Sequence, residues 1–161
     1  MSNAVSDYFE GIQGRLGIIA MRGCEEFAKK VSDQIVEIRE KMGDTEIIGY
    51  HRDSYILDAE FPRFSTGEGK GVIKETIRGY DLFIISDCFN YSVTYKMYDL
   101  KDADGKPLQV PMSPDDHFAD LKRVISACAG KAKRITVIMP MLYEGRQHRR
   151  TSRESLDCAL A

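Results

Sequence analysis

The chain lacks an excess of charge of either sign: 23 Lys and Arg stand against 25 Asp and Glu, a net charge of -2. That balance argues against holding nucleic acid or membrane through global charge, and leaves open a local basic patch. No apolar run approaches the roughly 20 residues of a membrane-spanning helix. Residues 1–14 have neither the basic head nor the apolar core of a signal peptide. The four cysteines, Cys24, Cys88, Cys128 and Cys158, include no C-x-x-C pair. A zinc site is therefore not expected, and buried free thiols in a cytoplasmic protein are. With these classes set aside, 161 residues, 43% apolar and 30% charged, describe one ordinary globular domain.

Leu16–Ala20 reads as a short buried strand and Gly23 as the lead into a helix. Phe27, Val31, Ile35, Ile38 and Met42 step by four, four, three and four, one helical face, with Gly43 as its C-cap residue. Glu46–Tyr50 and Tyr55–Phe61 are short strand candidates, and Val72–Ile77 alternates as a strand does. Arg78–Asp81 reads as a turn before Leu82–Ile85, a continuous apolar run expected as a central strand. Residues 88–112 are long for a simple connection and read as an inserted excursion, a hairpin turning at residues 101–107.

Signals then sharpen. Ser113 as cap, Pro114 at the first helical position, and Asp115 and Asp116 in the first turn open a helix. Phe118, Leu121, Ile125 and Cys128 give its apolar face, and Gly130 stops it. Arg134–Met139 is expected as a second buried strand, closed by Pro140. Thr151 and Glu154 have capping-box spacing ahead of a further apolar face at Leu156, Ala159 and Leu160. Strands alternating with helices make an α/β domain with a mostly parallel central sheet flanked by helices.

Chemistry concentrates in residues 143–153, which carry Arg146, Gln147, His148, Arg149, Arg150 and Arg153 between a strand and an expected helix start. In an open α/β sheet, ligands bind beyond the carboxyl ends of strands. Free N–H groups at a helix start and forked guanidinium donors suit phosphate oxygens. From these residues alone, a polyanion site and a solvated basic loop stand about even. The glycine-rich segment 65–71 matches neither a Walker A loop nor G-x-G-x-x-G, so a hairpin turn is the simpler reading. Phe64 ahead of it suits either a core position or a stack on a base. No G-x-S-x-G elbow and no H-E-x-x-H motif occurs. His51 and His117 read as solvent or capping residues, and Asp115 and Asp116 need no metal to explain them.

Four segments in order, Arg63–Glu68, Glu75–Ile85, Lys131–Pro140 and Gly145–Arg150, resemble the N-terminal half of ribose-phosphate pyrophosphokinase, also called phosphoribosyl pyrophosphate synthetase. The resemblance spans most of residues 16–161. It implies a phosphoribosyltransferase-like fold and a two-domain, oligomeric enzyme. That enzyme moves the β,γ-diphosphoryl group of ATP to the anomeric hydroxyl of ribose 5-phosphate with magnesium. Arg146 and Gln147 match the family's ATP-contacting Arg-Gln pair. Phe64, Thr66 and Glu68 match the loop that reaches the adenine of a neighbouring subunit. Thr76 and Arg78 match a stretch that binds a regulatory anion, phosphate or ADP.

The chain departs from the family at His148, where Asp is usual, and at Thr66, where Asp or Asn is usual. The excursion 88–112 replaces a much shorter family connection. Nothing in the chain matches the family's metal-binding histidine, mobile catalytic loop or ribose-phosphate loop. The expectation is one ATP-binding N-terminal domain over residues 1–161, truncated in its last helix and inactive alone, with no catalytic residue of its own. Magnesium is then expected to be held mainly by residues this chain does not have. The expected partners are ATP, ribose 5-phosphate in the full-length enzyme, and further copies of the chain, with no nucleic acid or membrane. The alternatives are a non-catalytic nucleotide-binding regulatory relative and a basic-loop nucleic-acid binder.

Overall fold

The computed structural model describes residues 14–42 and 51–161. The strand expected at Glu46–Tyr50 and the Gly43 cap lie outside them.

Three parallel strands form the centre. β1 (Arg15–Ala20) and β7 (Arg134–Ile138) flank β4 (Tyr80–Ile85). Arg15 aligns with Tyr80, and Asp81 with Arg134. β4 is the central strand its apolar run implies, and five of its six residues are buried. It begins at Tyr80, so the expected turn is confined to the residues ahead of it: the Tyr80 N–H closes it on the Ile77 carbonyl at 3.1 Å. Tyr55–Phe61 is only partly a strand. Ile56 bridges Ile18 on the side of β1 away from β4, and β2 (Ala59–Glu60) pairs antiparallel with β3 (Val72–Ile73). The strand expected over Val72–Ile77 stops after two residues.

Two helices cover opposite faces. α1 (Glu25–Lys41) packs on Ile18, Tyr55 and Ile85 through Ala28, with Val31, Ile35 and Val36 partly buried there. The expected face is rotated: Phe27, Ile38 and Met42 are exposed, and small Ala28 and Ser32 hold the buried centre. The reason is a close approach that small residues permit, with the Ser32 hydroxyl accepting the Tyr55 N–H at 2.9 Å. α2 (Pro114–Cys128) covers the other face through Leu121, Val124 and Cys128. Its start is built as expected. Ser113 Oγ accepts the Asp116 N–H at 3.1 Å, and the Asp116 carboxylate accepts the Ser113 N–H at 2.9 Å. Its face is also shifted, with Val124 buried and Ile125 exposed. Ala129 takes the left-handed cap conformation (φ 46°) just before Gly130.

The excursion after β4 is a hairpin, β5 (Thr94–Lys101) against β6 (Pro107–Pro111). β7 corrects the expectation of a buried strand. It sits on the sheet edge with Val137 and Ile138 more than a third exposed. α3 is one turn, Asp157–Leu160. Thr151 and Glu154 do bond, but no helix starts there. Glu154 Oε1 takes both the Thr151 N–H at 2.5 Å and its hydroxyl at 2.9 Å.

Candidate functional site: a cleft beyond the sheet

Strands β4 and β7 run parallel and end side by side, Ile85 beside Ile138. The chain leaving β4 supplies Phe89 and Tyr91, the chain leaving β7 supplies Met141–Gln147, and the start of α2 supplies Pro114 and Asp115. These residues enclose a cleft of about 580 Å³. Its position follows from topology, since parallel strands deliver their outgoing loops to one edge of the sheet.

The wall from β7 is fastened to α2. The Tyr143 hydroxyl donates to Asp115 Oδ1 at 2.6 Å, and its ring stacks on Phe118 at 4.2 Å and 13°. The carboxylate at Asp115 and the loss of solvent raise the Tyr143 pKa above its ordinary 10.0. Glu144 adopts φ 57°, and the Gly145 N–H closes the turn on the Leu142 carbonyl at 3.1 Å. The turn aims Arg146 and Gln147 at the cleft, both exposed.

Arg146 and Gln147 are therefore brought to the cleft, and the other expected site residues are not. Phe64, Thr66 and Glu68 sit on a separate tight loop in which Arg63 bridges Gly69. The Phe64 N–H donates to the Glu68 carbonyl at 2.8 Å, and the Thr66 hydroxyl donates to Glu68 Oε2 at 3.0 Å. Phe64 is 56% exposed, which excludes the core role. The loop is anchored by Arg63, whose guanidinium bonds Asp120 at 2.7 Å and lies over the Tyr95 ring at 4.7 Å. Arg123 bonds the same carboxylate at 2.7 Å. Thr76 and Arg78 are exposed ahead of β4, at the opposite end of that strand from the cleft. About 3.3 Å per residue separates the two ends, so one ligand on one chain does not reach both.

The expected helix start behind the basic loop is absent. Arg149, Arg150 and Arg153 are exposed and precede a one-turn helix that offers no anion site. His148 is likewise exposed, with Nδ1 3.2 Å from the Gly145 carbonyl. His117 corrects its reading as a solvent or capping residue. It is 3% exposed, with Nε2 3.0 Å from the Asn90 carbonyl. Reasoning from sequence missed Phe89, Tyr91, Met141 and Leu142 as cleft residues. The missed signal was an aromatic pair in the segment that leaves the central strand. Among the described residues no three His, Cys, Asp or Glu side chains converge to hold a metal. Of the cysteines, Cys24, Cys88 and Cys128 are buried, and Cys158 is partly exposed.

Among the described residues no helix is long and apolar enough to cross a membrane. The structure is similar to the crystal structure of phosphoribosylpyrophosphate synthetase from Mycobacterium smegmatis. The TM-score is 0.55 and the sequence identity 21%, over 91% of this chain and 37% of that one. No curated protein matches the chain significantly. A family model described as the N-terminal domain of ribose phosphate pyrophosphokinase matches residues 16–161. The parallel sheet, its covering helices and this match over nearly the whole chain lead to one assignment: the chain belongs to the ribose phosphate pyrophosphokinase N-terminal domain family.

Proposed function

We propose that this chain supplies the ATP-binding part of a ribose-phosphate diphosphokinase, which transfers diphosphate from ATP to ribose 5-phosphate to give 5-phosphoribosyl 1-diphosphate. The carrying observation is that Arg146 and Gln147, the pair matched to the family's ATP contact, line the cleft beyond β4 and β7. An arginine fork there meets phosphate oxygens, and Gln147 adds a neutral donor and acceptor. Magnesium enters with ATP as part of the substrate. No residue of this chain is assigned a catalytic step, and the 161 residues alone do not turn over ribose 5-phosphate.

In the same reading the protein is cytoplasmic and self-associates. Phe64, Thr66 and Glu68 serve the nucleotide of a neighbouring copy, for which Phe64 is suitably exposed. Thr76 and Arg78 form a regulatory anion contact away from the cleft.

Titration of magnesium-ATP into the wild type and into the double variant Arg146→Ala/Gln147→Ala tests the site. Weak but measurable binding by the wild type and a loss of about tenfold or more in the variant is the expected result. Equal affinity removes the assigned site. Robust turnover of ribose 5-phosphate by the chain alone contradicts the inactive reading.

A further inference from the structure

A second cleft, of about 510 Å³, lies between residues 69–71 and one side of α2. It shares no residue with the cleft beyond β4 and β7. From α2 it takes Ala119, Lys122, Arg123, Ser126 and Ala127, which the helical repeat places on one stripe. The two alanines and the serine are short, so room is left beside the longer Lys122 and Arg123. Across the gap, Lys70 is held in place by its own N–H, which donates to the Pro62 carbonyl at 2.9 Å. Gly69 brings bare backbone against the charged groups. A Cβ there would stand 2.7 Å from Arg123 Nη1 and 2.8 Å from Arg63 Nη1.

The lining contains three cations and no carboxylate. The one anion beside it, Asp120, is buried, with Oδ2 taken by Arg63 and Oδ1 by Arg123. Two guanidiniums therefore share a single carboxylate. Among the described residues neither Lys70 nor Lys122 has a salt bridge. Lys122 Nζ instead lies 5.2 Å from the centre of the Phe118 ring. Positive charge gathered in a concave site without its own counter-charge concentrates the field there and draws in anions.

We propose that this cleft binds a compact phosphate-bearing anion, of the charge of inorganic diphosphate. Lys70 and Lys122 approach it from opposite sides as ammonium point charges. Arg123 spends one nitrogen on Asp120 and has further donors to give, and the Ser126 hydroxyl adds a neutral one. The site is separate from Arg146 and Gln147, and from Thr76 and Arg78, and does not depend on the role of either pair.

Calorimetric titration of inorganic diphosphate, without magnesium, into the full chain tests this. The background is Arg78→Ala/Arg146→Ala/Gln147→Ala, which removes the other anion contacts at exposed positions. Diphosphate is expected to bind in that background, more weakly as salt is added, and to lose about tenfold or more when Lys70→Ala/Lys122→Ala is introduced. Both lysines are exposed, so the added pair should leave the urea midpoint unchanged. Lys70→Arg/Lys122→Arg keeps the charge and is expected to keep binding. Absence of diphosphate binding in the background overturns the proposal. So does binding that the two lysine-to-alanine changes leave unaltered.

Discussion

The Tyr143 hydroxyl donates to Asp115 Oδ1 at 2.6 Å while its ring stacks on Phe118, so one side chain pins the loop after β7 to the first turns of α2. Tyr143→Phe keeps the stack and removes the bond, at a cost of about 1 kcal/mol. The bond uses the protonated phenol, and its pKa is raised above the ordinary 10.0 in the folded chain. The contribution is therefore fully present below pH 10 and lost as pH rises past it. Urea titrations of wild type and Tyr143→Phe at pH 8 and in strongly alkaline buffer check this. Their stabilities should differ at pH 8 and converge at high pH.

Asp120 is 3% exposed at its side chain and Arg63 5%, so their pair is inside the protein. Arg123 shares the carboxylate from its rim. Asp120→Ala leaves Arg63 buried and uncompensated, and is expected to cost about 3 kcal/mol or more in chemical denaturation. Arg123→Ala leaves the inner pair intact, and its cost should be well below that.

Gly71 and Gly105 separate two reasons for glycine. A Cβ on Gly71 would stand 2.9 Å from the backbone of Arg123 and 3.0 Å from that of Val124, so Gly71→Ala pushes the segment off α2. The expected loss is about 1–3 kcal/mol. Gly105 has φ +76° and open space around it, so Gly105→Ala pays only the left-handed backbone cost of about 1–2 kcal/mol. Thermal melts of both variants, with probing of the 63–69 loop by limited proteolysis, distinguish them: only Gly71→Ala should expose that loop.

Burial raises the thiol pKa of Cys24, Cys88 and Cys128. Cys158 is partly exposed. A thiol reagent at neutral pH should modify one cysteine per chain quickly and the other three only on unfolding. Peptide mapping should identify the fast one as Cys158.

The readable parts of this fold were those with local chemistry. Ser113, Pro114 and Asp116 announce α2 because capping is settled within four residues. Leu82–Ile85 announces a central strand because both its faces are covered. The apolar faces of both helices were misplaced by a fraction of a turn, since close packing chose Ala28 and Ser32 over the larger Phe27 and Ile38. β7 looked buried by composition, but burial depends on neighbours, and it lies on an edge. Arg146 and Gln147 lie at the cleft because they follow a strand end, a placement that from the residues alone left an anion loop and a solvated loop about even. The place of Tyr91 in the cleft was not legible, because it depends on β4 and β7 ending together, a relation between residues far apart in sequence.

The same parallel registry sets the order in which the molecule can form. Lys101 meets Pro107 across a few residues, so the β5–β6 hairpin closes on the microsecond scale of isolated hairpins, roughly 1–10 μs. Arg15 must find Tyr80, and Asp81 must find Arg134, before the central sheet exists at all. Those closures cost chain entropy before any strand contact returns it, which makes the sheet the slow step of folding. The cleft beyond β4 and β7 therefore exists only once those distant strands have paired.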